Sequence, residues 1–311
     1  MKLSQIRDFV AIADHGSLRA AAQHLGLAQP ALTRSIRELE QELGVALFER
    51  HARGMVLTPS GEMFVARMRF VQAEIQRSRE EIGQGTENAT GHVTVGLSMV
   101  ATIILLPSMV EQFRLRYPNV QLEVVEGMYP ELKPRILEGT VDFYVGPIMD
   151  RPVPRDLAVE DLFSNELVIL SRKDHPLRTA RSMSSLAGAS WIGYMVSESH
   201  EMALGRYFRT LGLPPPRIGV RVTSALAALI TVVNSELLWL VPPQFTRHPG
   251  AAALLERVNV KENLGVPTIS LVTRSRLPLT PAAEFLSDLV RRAAARERHP
   301  YGKTRLPASS Q

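Results

Sequence analysis

The side chains with the clearest chemistry lie near the start of one predicted helix, over residues 30–43. Thr33, Arg34, Ser35 and Arg37 share the polar face of this helix. A guanidinium can donate two hydrogen bonds to O6 and N7 of guanine, and a hydroxyl can reach a phosphate or a base edge. The set therefore predicts a helix that reads DNA in the major groove. Solvated arginines on a small helical subdomain are the alternative.

Residue types that would serve catalysis or metal binding show no comparable pattern. The chain has no cysteine, and its eight histidines include no pair four residues apart. The segment Gly96-Leu97-Ser98 lacks the second glycine of a nucleophile elbow, and no phosphate-cradling glycine loop is present. We therefore predict that the protein is not an enzyme and that it uses no metal and no cofactor.

The overall charge does not support DNA binding, because of where the charge lies. The chain has 36 Lys and Arg against 31 Asp and Glu, but residues 1–90 carry 11 of each sign and residues 91–288 carry 19 of each. The surplus lies in residues 289–311, and a basic tail over 296–311 is predicted to be disordered. The DNA hypothesis must rest on the placement of a few arginines.

Two shorter predicted helices precede the DNA-reading one. Residues 4–14 have one apolar face with Ser4 as the predicted cap, and Ser17 caps a second helix over residues 18–24. After the turn at Gly26, Leu27 is expected to contact the core, and Pro30 opens the third helix. Its expected buried stripe is Leu32, Ile36, Leu39 and Leu43. Two helices joined by a tight glycine turn are typical of a helix-turn-helix.

A short hairpin and a long helix are predicted next. Residues 45–50 and 51–58 are apolar runs around a charged turn, which predicts a β-hairpin, or wing, with Arg50 and Arg53 at its tip. These arginines could contact DNA, and surface salt bridges with Glu49 or Glu42 are the alternative. The helix from Pro59 onward has a heptad seam of Phe64, Met68, Val71, Ile75, Ser78 and Ile82. The seam favours pairing with a second copy over a core helix, and a dimer predicts a dyad-related operator.

Residues 91–295 alternate between predicted strands and helices, which indicates a mainly parallel sheet with helices on its faces. Two sets of elements predict two lobes. Lobe I takes about residues 91–163 and 266–295, and lobe II takes about 164–265. Residues 166–171 and 264–273 are the expected crossings between lobes.

Several motifs of the N-terminal part resemble those of LysR-type transcriptional regulators. They are Ser17-Leu-Arg-Ala-Ala-Ala, Leu27-Ala-Gln-Pro-Ala-Leu-Thr-Arg-Ser-Ile, Leu47-Phe-Glu-Arg and Leu57-Thr-Pro-Ser-Gly. The C-terminal half resembles the family's effector domain by pattern rather than by motif.

The resemblance implies an α+β multidomain fold and a regulator that is a dimer or a tetramer of two dimers. Its parts would be a winged helix-turn-helix over residues 1–58, a dimerising linker helix and hinge over 59–90, and a two-lobed α/β effector domain like periplasmic binding proteins over 91–295. The positions that would form the DNA face and wing are Ser17, Gln29, Pro30, Thr33, Arg34, Arg37, Arg50 and Arg53.

Effector binding is expected between the lobes, since ligands of open α/β sheets lie at strand carboxyl ends and helix N-termini. Hydroxyls at three such places are those of Ser98 with Thr102, Ser197 with Ser199, and Thr223 with Ser224. Met99 beside Ser98 is a further candidate, and the family layout adds Met128, Tyr129, Gly146 and Pro147. Tyr129 and Trp191 could stack on an aromatic effector or simply pack, whereas Tyr144 and Trp239 are predicted core residues. The predicted effector is a small organic anion, with an aromatic carboxylate or sulfonate as a narrower hypothesis.

The leading hypothesis is a sequence-specific regulator of transcription. Its expected partners are double-stranded DNA, a small-molecule effector and further copies of itself, and a contact with RNA polymerase is left open. The absence of a signal peptide or membrane span predicts a cytoplasmic protein without a membrane partner. The alternatives are an enzyme or transport-type binding protein with a borrowed two-lobed fold, and an architectural DNA binder with a ligand-blind C-terminal half.

Overall fold

The computed structural model describes residues 1–51, 54–84, 89–148, 152–194, 204–205, 207–247 and 249–297. The chain divides into two compact units, residues 1–87 with 137–140 and residues 88–136 with 141–311. Arg53, Ser197, Ser199 and the tail beyond residue 297 lie outside the described residues. In the described ranges, no helix is long and apolar enough to cross a membrane.

The first unit contains a winged helix-turn-helix followed by a long helix. Its helices are α1 (Leu3–His15), α2 (Leu18–Leu25), α3 (Gln29–Leu43) and α4 (Pro59–Gln84), and strands β1 (Phe48–His51) and β2 (Gly54–Leu57) pair antiparallel as the wing. Gly16, Gly26 and Gly44 end α1, α2 and α3 at positive φ. That backbone region suits glycine and stops a helix without strain.

The core of this unit is built around Phe9 of α1. Its ring lies 5.2 Å from the ring of Phe48 in the wing and 5.2 Å from that of Phe64 in α4. Leu32 and Leu39 of α3 are fully buried in the same cluster. The apolar faces of α1, α3 and α4 therefore meet in one core, which fixes the orientation of the opposite, polar face of α3.

The wing is held against the turn between α1 and α2. The Met55 amide donates a hydrogen bond to the Gly16 carbonyl over 2.8 Å. Gly54 has a φ of 135°, and a Cβ at this position would lie 2.4 Å from the Gly16 oxygen. Only a residue without a side chain permits this close approach, so Gly54 sets the position of the wing.

Three predictions for this unit are wrong. Ser4 lies inside α1, and the backbone N–H of Lys2 is instead bonded by Gln5 Oε1 at 2.8 Å. Leu27 is 37% exposed because it lies in the turn beyond the packed face of α2. Leu43 is 38% exposed because it is the last residue of α3, where the helix extends past the core.

Lobe I of the second unit has a five-stranded sheet in the order β4-β3-β5-β12-β6. Its strands are β3 (Gly91–Leu97), β4 (Val120–Glu126), β5 (Phe143–Pro147), β6 (Leu157–Ser164) and β12 (Thr268–Arg274). Helices α5 (Met99–Arg116), α6 (Tyr129–Glu138) and α9 (Pro281–Glu297) accompany them. Buried side chains of the sheet, α5 and α9 form one core.

Lobe II has two smaller sheets. One has the order β10-β7-β11, with β7 (Val168–Arg172), β10 (Trp239–Val241) and β11 (Leu255–Val258). The other pairs β8 (Ser190–Tyr194) with β9 (Arg217–Val222). Helices α7 (Ala225–Val233) and α8 (Pro249–Ala252) lie in the same part of the chain.

The expectation of a mainly parallel sheet is wrong in detail. Pairs β3–β4, β3–β5 and β8–β9 are parallel, whereas β12 runs antiparallel to β5 and β6, and β7 runs antiparallel to β10 and β11. Because β12 returns to lobe I from lobe II, it enters that sheet in the opposite direction. Strands β6 and β11 were not predicted. Tyr144 and Trp239 are fully buried core residues, as predicted.

Candidate functional site

The exposed face of α3 presents the residues that the sequence selected for DNA reading. Gln29, Pro30, Arg34 and Arg37 are exposed, and Thr33 is half-buried with its hydroxyl donating to the Gln29 carbonyl over 3.0 Å. These five residues line one shallow groove together with Glu38 and Gln41. Within the described part of the chain, Arg34 and Arg37 form no ion pair. Both guanidinium groups are therefore free to bind a partner.

Two acidic residues of α3 are occupied away from this face. Glu40 Oε1 accepts hydrogen bonds from the backbone amides of Leu47, at 2.8 Å, and Phe48, at 3.2 Å. The carboxylate of Glu42 pairs with the terminal ammonium of Met1. These two carboxylates thus have partners away from the groove, which leaves the groove with two unpaired arginines and Glu38.

Ser17 and Arg50 have different positions relative to that groove. The Ser17 hydroxyl caps α2 by accepting from the Ala20 amide over 3.1 Å, as predicted. Arg50 is exposed on β1, opposite Met55. Neither expected salt-bridge partner binds Arg50 among the described residues, because Glu49 pairs with His51 and Glu42 with Met1.

The predicted dimer seam of α4 divides into two parts. Met68 is only 7% exposed, and Phe64 and Val71 pack against the same core, so these three residues stabilise the unit itself. The first turns of α4 thus cover α1, and the N-terminal half of the predicted seam also serves the unit's own core. Ile75 is half-buried and Ile82 is 80% exposed, so the C-terminal part of the helix retains apolar surface.

An apolar cavity of about 300 Å³ lies between the two lobes of the second unit. Four of the predicted effector residues line it, namely Ser98, Met99, Met128 and Pro147. Most other lining side chains are apolar, among them Leu167, Leu240 and Val266, and the polar ones include Asn165, Tyr194 and Tyr207. The cavity can enclose a small, largely apolar molecule.

A smaller polar pocket of about 190 Å³ shares Met99, Met128 and Tyr194 with this cavity. Thr223 and Ser224, two further predicted residues, line it beside Glu126 and Gly127. The Tyr194 hydroxyl donates a hydrogen bond to Oε1 of Glu126 over 2.8 Å. The cleft therefore has an apolar chamber and an adjoining polar end.

Other predicted effector residues lie behind the cleft surface. Trp191 is fully buried, with its ring 5.7 Å from that of Phe208 in the core of lobe II. Tyr129 is 3% exposed and packs on Tyr144. The prediction that either ring stacks on an effector is therefore wrong, because neither ring reaches the surface of the cleft.

Gly146 and Thr102 also serve the fold rather than the cleft surface. A Cβ on Gly146 would lie 2.1 Å from the Tyr144 hydroxyl, so this glycine is needed for close packing. The Thr102 hydroxyl donates to the Ser98 carbonyl over 3.1 Å within α5. The Ser98 hydroxyl caps α5 by accepting from the Ala101 amide over 3.4 Å.

The residues that sequence reasoning missed are Glu126, Asn165, Tyr194 and Tyr207. Glu126 and Tyr194 are the last residues of β4 and β8, so the rule that ligands lie at strand carboxyl ends could have selected them. Asn165 lies between β6 and β7, where the chain crosses between lobes, and its backbone N–H donates to the Pro267 carbonyl over 2.9 Å. No local pattern marks Asn165 or Tyr207.

The charged groups of the cleft differ from those of a typical anion-binding site. The described residues that line the cavity and the polar pocket include no Lys, Arg or His. Burial and the nearby carboxylates of Glu126 and Glu131 raise the pKa of Tyr194 above its ordinary value. Burial also raises the pKa of Glu131, against the hydrogen bond from the Met128 amide. Among the described residues of the cleft, positive potential comes from helix N-termini, including those of α5 and α7.

Comparisons with known proteins agree with both halves of this geometry. The family "Bacterial regulatory helix-turn-helix protein, lysR family" matches residues 3–62, and "LysR substrate binding domain" matches residues 86–295. The HTH-type transcriptional regulator TdcA of Escherichia coli K12 is 26% identical over 276 residues, 89% of this chain and 88% of its own. The SDS degradation transcriptional activation protein of a Pseudomonas species is 28% identical over 294 residues, 93% and 95% of the two chains.

Solved structures share the fold over most of the chain. Full-length CbnR in complex with its target DNA has a TM-score of 0.66 at 21% identity, over 94% of this chain and all of its own. A full-length OxyR variant from Pseudomonas aeruginosa has a TM-score of 0.68 at 24% identity, over 94% and 95% of the two chains. The two family matches thus cover the unit with the exposed arginines of α3 and the two-lobed second unit. The chain belongs to the LysR family of DNA-binding transcriptional regulators and is not an enzyme.

Proposed function

We propose that this regulator reads a dyad-related operator through the exposed face of α3. The observation that carries the proposal is the unpaired state of Arg34 and Arg37, beside Gln29 and Thr33, while Glu40 and Glu42 are occupied elsewhere. In a helix-turn-helix the N-terminal residues of the second helix contact base edges in the major groove. Pro30 and Ser17 support this arrangement by starting α3 and capping α2. Arg50 and Arg53 supply contacts to the phosphate backbone of the DNA.

Self-association through the C-terminal part of α4 completes the operator-binding form. Two copies present two recognition helices to successive major-groove faces, which a single chain cannot do. Ile75 and Ile82 are the seam residues that the unit's own core leaves available. Replacement Ile82→Glu should weaken both the dimer and operator binding more than tenfold. The neighbouring change Glu81→Gln on the same exposed turn is the matched control.

The second unit provides the control of this DNA binding. A small molecule in the interlobe cavity would favour one arrangement of the lobes and so shift the population of regulator states, which requires different affinities for those states. RNA polymerase is the downstream partner of a regulator bound beside a promoter. Transcription in a purified system, with and without the regulator, tests that part.

Selection of binding sites from random DNA tests the proposed operator. The expected outcome is an enriched motif with two-fold symmetry, protected over two half-sites about 10 bp or a multiple of it apart. Enrichment of a motif without a dyad, or no enrichment over non-specific binding, would contradict sequence reading by a dimer. The architectural alternative predicts protection without any motif, so the same experiment separates the two functions.

A further inference from the structure

The shape of the interlobe cleft restricts the size of its ligand. The cavity of about 300 Å³ is lined mostly by apolar side chains, including Met99, Met128, Leu240 and Val266. This volume lies at the lower end of the range of small-molecule sites, which is about 300–1,000 Å³. The body of the ligand is therefore apolar and small.

The polar pocket at one end of the cavity restricts the head group of that ligand. The pocket is lined by the carboxylate of Glu126 and by Thr223 and Ser224. The Glu126 carboxylate accepts a hydrogen bond from the Tyr194 hydroxyl. Met99, the first residue of α5, and Ser224, the cap of α7, place two helix N-termini there. A head group in this pocket can therefore meet the Glu126 carboxylate as an acceptor and the backbone amides of helix N-termini as donors.

The balance of charge disfavours an anionic head group. Each helix N-terminus corresponds to about half a positive charge. Against them stands the carboxylate of Glu126, which lines the pocket and accepts the hydrogen bond from the Tyr194 hydroxyl. No Lys, Arg or His is among the described residues that line either space. An anionic head group in the pocket would lie beside the Glu126 carboxylate, and the helix N-termini offer it only partial charges.

We infer that the cleft selects an uncharged amphiphile, with an apolar body and a head group that both donates and accepts hydrogen bonds, such as a primary carboxamide or a hydroxyl. The head group donates to Glu126 and accepts from the N-terminal amides of α5 or α7. A carboxylate has nearly the same shape but only accepts, so it leaves Glu126 facing a like charge. This inference rests on the proposed function, in which the cleft is the effector site.

Matched amide and acid probes test the inference on the full chain. Octanamide against octanoate and phenylacetamide against phenylacetate differ only in the head group, and each has about ten non-hydrogen atoms, which fits the cavity. Isothermal titration calorimetry should show each amide binding at least tenfold more tightly than its acid. Tighter or equal binding of the acids would overturn the inference, and so would binding of neither series.

A substitution at Glu126 isolates the role of its charge. Glu126→Gln keeps the shape and removes the negative charge, so it should improve binding of octanoate and reduce the amide preference to less than threefold. Glu111→Gln, on the exposed side of α5, makes the same charge change away from the cleft and should leave the preference unchanged. An unaltered preference in Glu126→Gln would assign the selectivity to another group and refute the role given to Glu126.

Footprinting of the selected operator separates this inference from the proposed function. If the acids bind and change the footprint while the amides do not, the cleft is an effector site and the uncharged class is wrong. If no probe changes the footprint but calorimetry still shows the amide preference, the ligand class stands and the proposed control of DNA binding fails.

Discussion

The DNA-reading face and the interlobe cleft are built in opposite ways. The face lies on one helix, where Gln29, Thr33, Arg34 and Arg37 follow one another within nine residues. The cleft is lined by eight separate stretches of chain, from Ser98 to Ile269. A face on one helix needs only a correct helix with its apolar side buried. A cleft between lobes needs every crossing and strand end to be in position.

This difference leads to different sensitivities to mutation. Damage to the core under α3 should remove the whole face, whereas single changes on the face should alter specificity with the fold intact. In the cleft, residues chosen for their chemistry often hold the fold instead, as Trp191 and Gly146 do.

The largest effect is expected from Phe9→Ala. The ring of Phe9 fills the centre of the N-terminal core between Phe48 and Phe64, so its removal leaves a cavity there. The free energy of unfolding should fall by about 3–5 kcal/mol, with loss of operator binding. Denaturant unfolding followed by circular dichroism measures the change. A loss below about 1 kcal/mol would show that this core is not what holds the face in place.

A smaller and more specific effect is expected from Arg34→Ala. If Arg34 reads a base, operator affinity should fall by about 1–3 kcal/mol and discrimination against random DNA should weaken. Fluorescence anisotropy with operator and scrambled duplexes measures both. Arg114→Ala, on the exposed side of α5, is the matched control and should change neither. An unchanged preference for the operator in Arg34→Ala would reduce Arg34 to a phosphate contact.

Two helix caps allow a direct comparison between the regions. Ser17 caps α2 in the DNA-binding unit, and Ser98 caps α5 beside the cleft. Replacement of either by alanine should cost about 1 kcal/mol of stability. Hydrogen exchange should show faster exchange of the Ala20 amide in Ser17→Ala and of the Ala101 amide in Ser98→Ala. Equal rates in variant and wild type would mean that the cap does not stabilise that helix.

The smallest effect concerns the pH dependence of stability that Glu131, in the first turn of α6, should cause. Burial raises the pKa of Glu131, so the fold favours its protonated form relative to the unfolded chain. The stability associated with this group is present at low pH, below its ordinary pKa, and is lost as the pH rises through the raised value. Urea unfolding from pH 4 to 7 should show Glu131→Gln gaining stability over wild type as the pH increases. Parallel curves would indicate that the carboxyl is effectively solvated.

The N-terminal part was predicted more completely than the C-terminal part. Ser17, Gly16, Gly26 and Gly44 act locally, through a side-chain cap or a positive φ, and the sequence shows such residues directly. The misplaced Leu27 and Leu43 are also apolar, but whether an apolar residue at a helix end meets the core depends on the neighbouring helices. The strand β6 was missed because its partner β12 lies more than a hundred residues further along the chain.

The sequence by itself determined the local chemistry of this protein. It set which helices form, where they end, and that the first polar turns of α3 carry arginines and hydroxyls on one face, because periodicity and capping act within a few residues. Only the tertiary structure decided that Met68 packs into the core of its own unit, that Trp191 lies behind the cleft, and that Glu126 and Tyr194 form its polar end. Those outcomes depend on packing between residues far apart in the chain, whose geometry no local pattern contains.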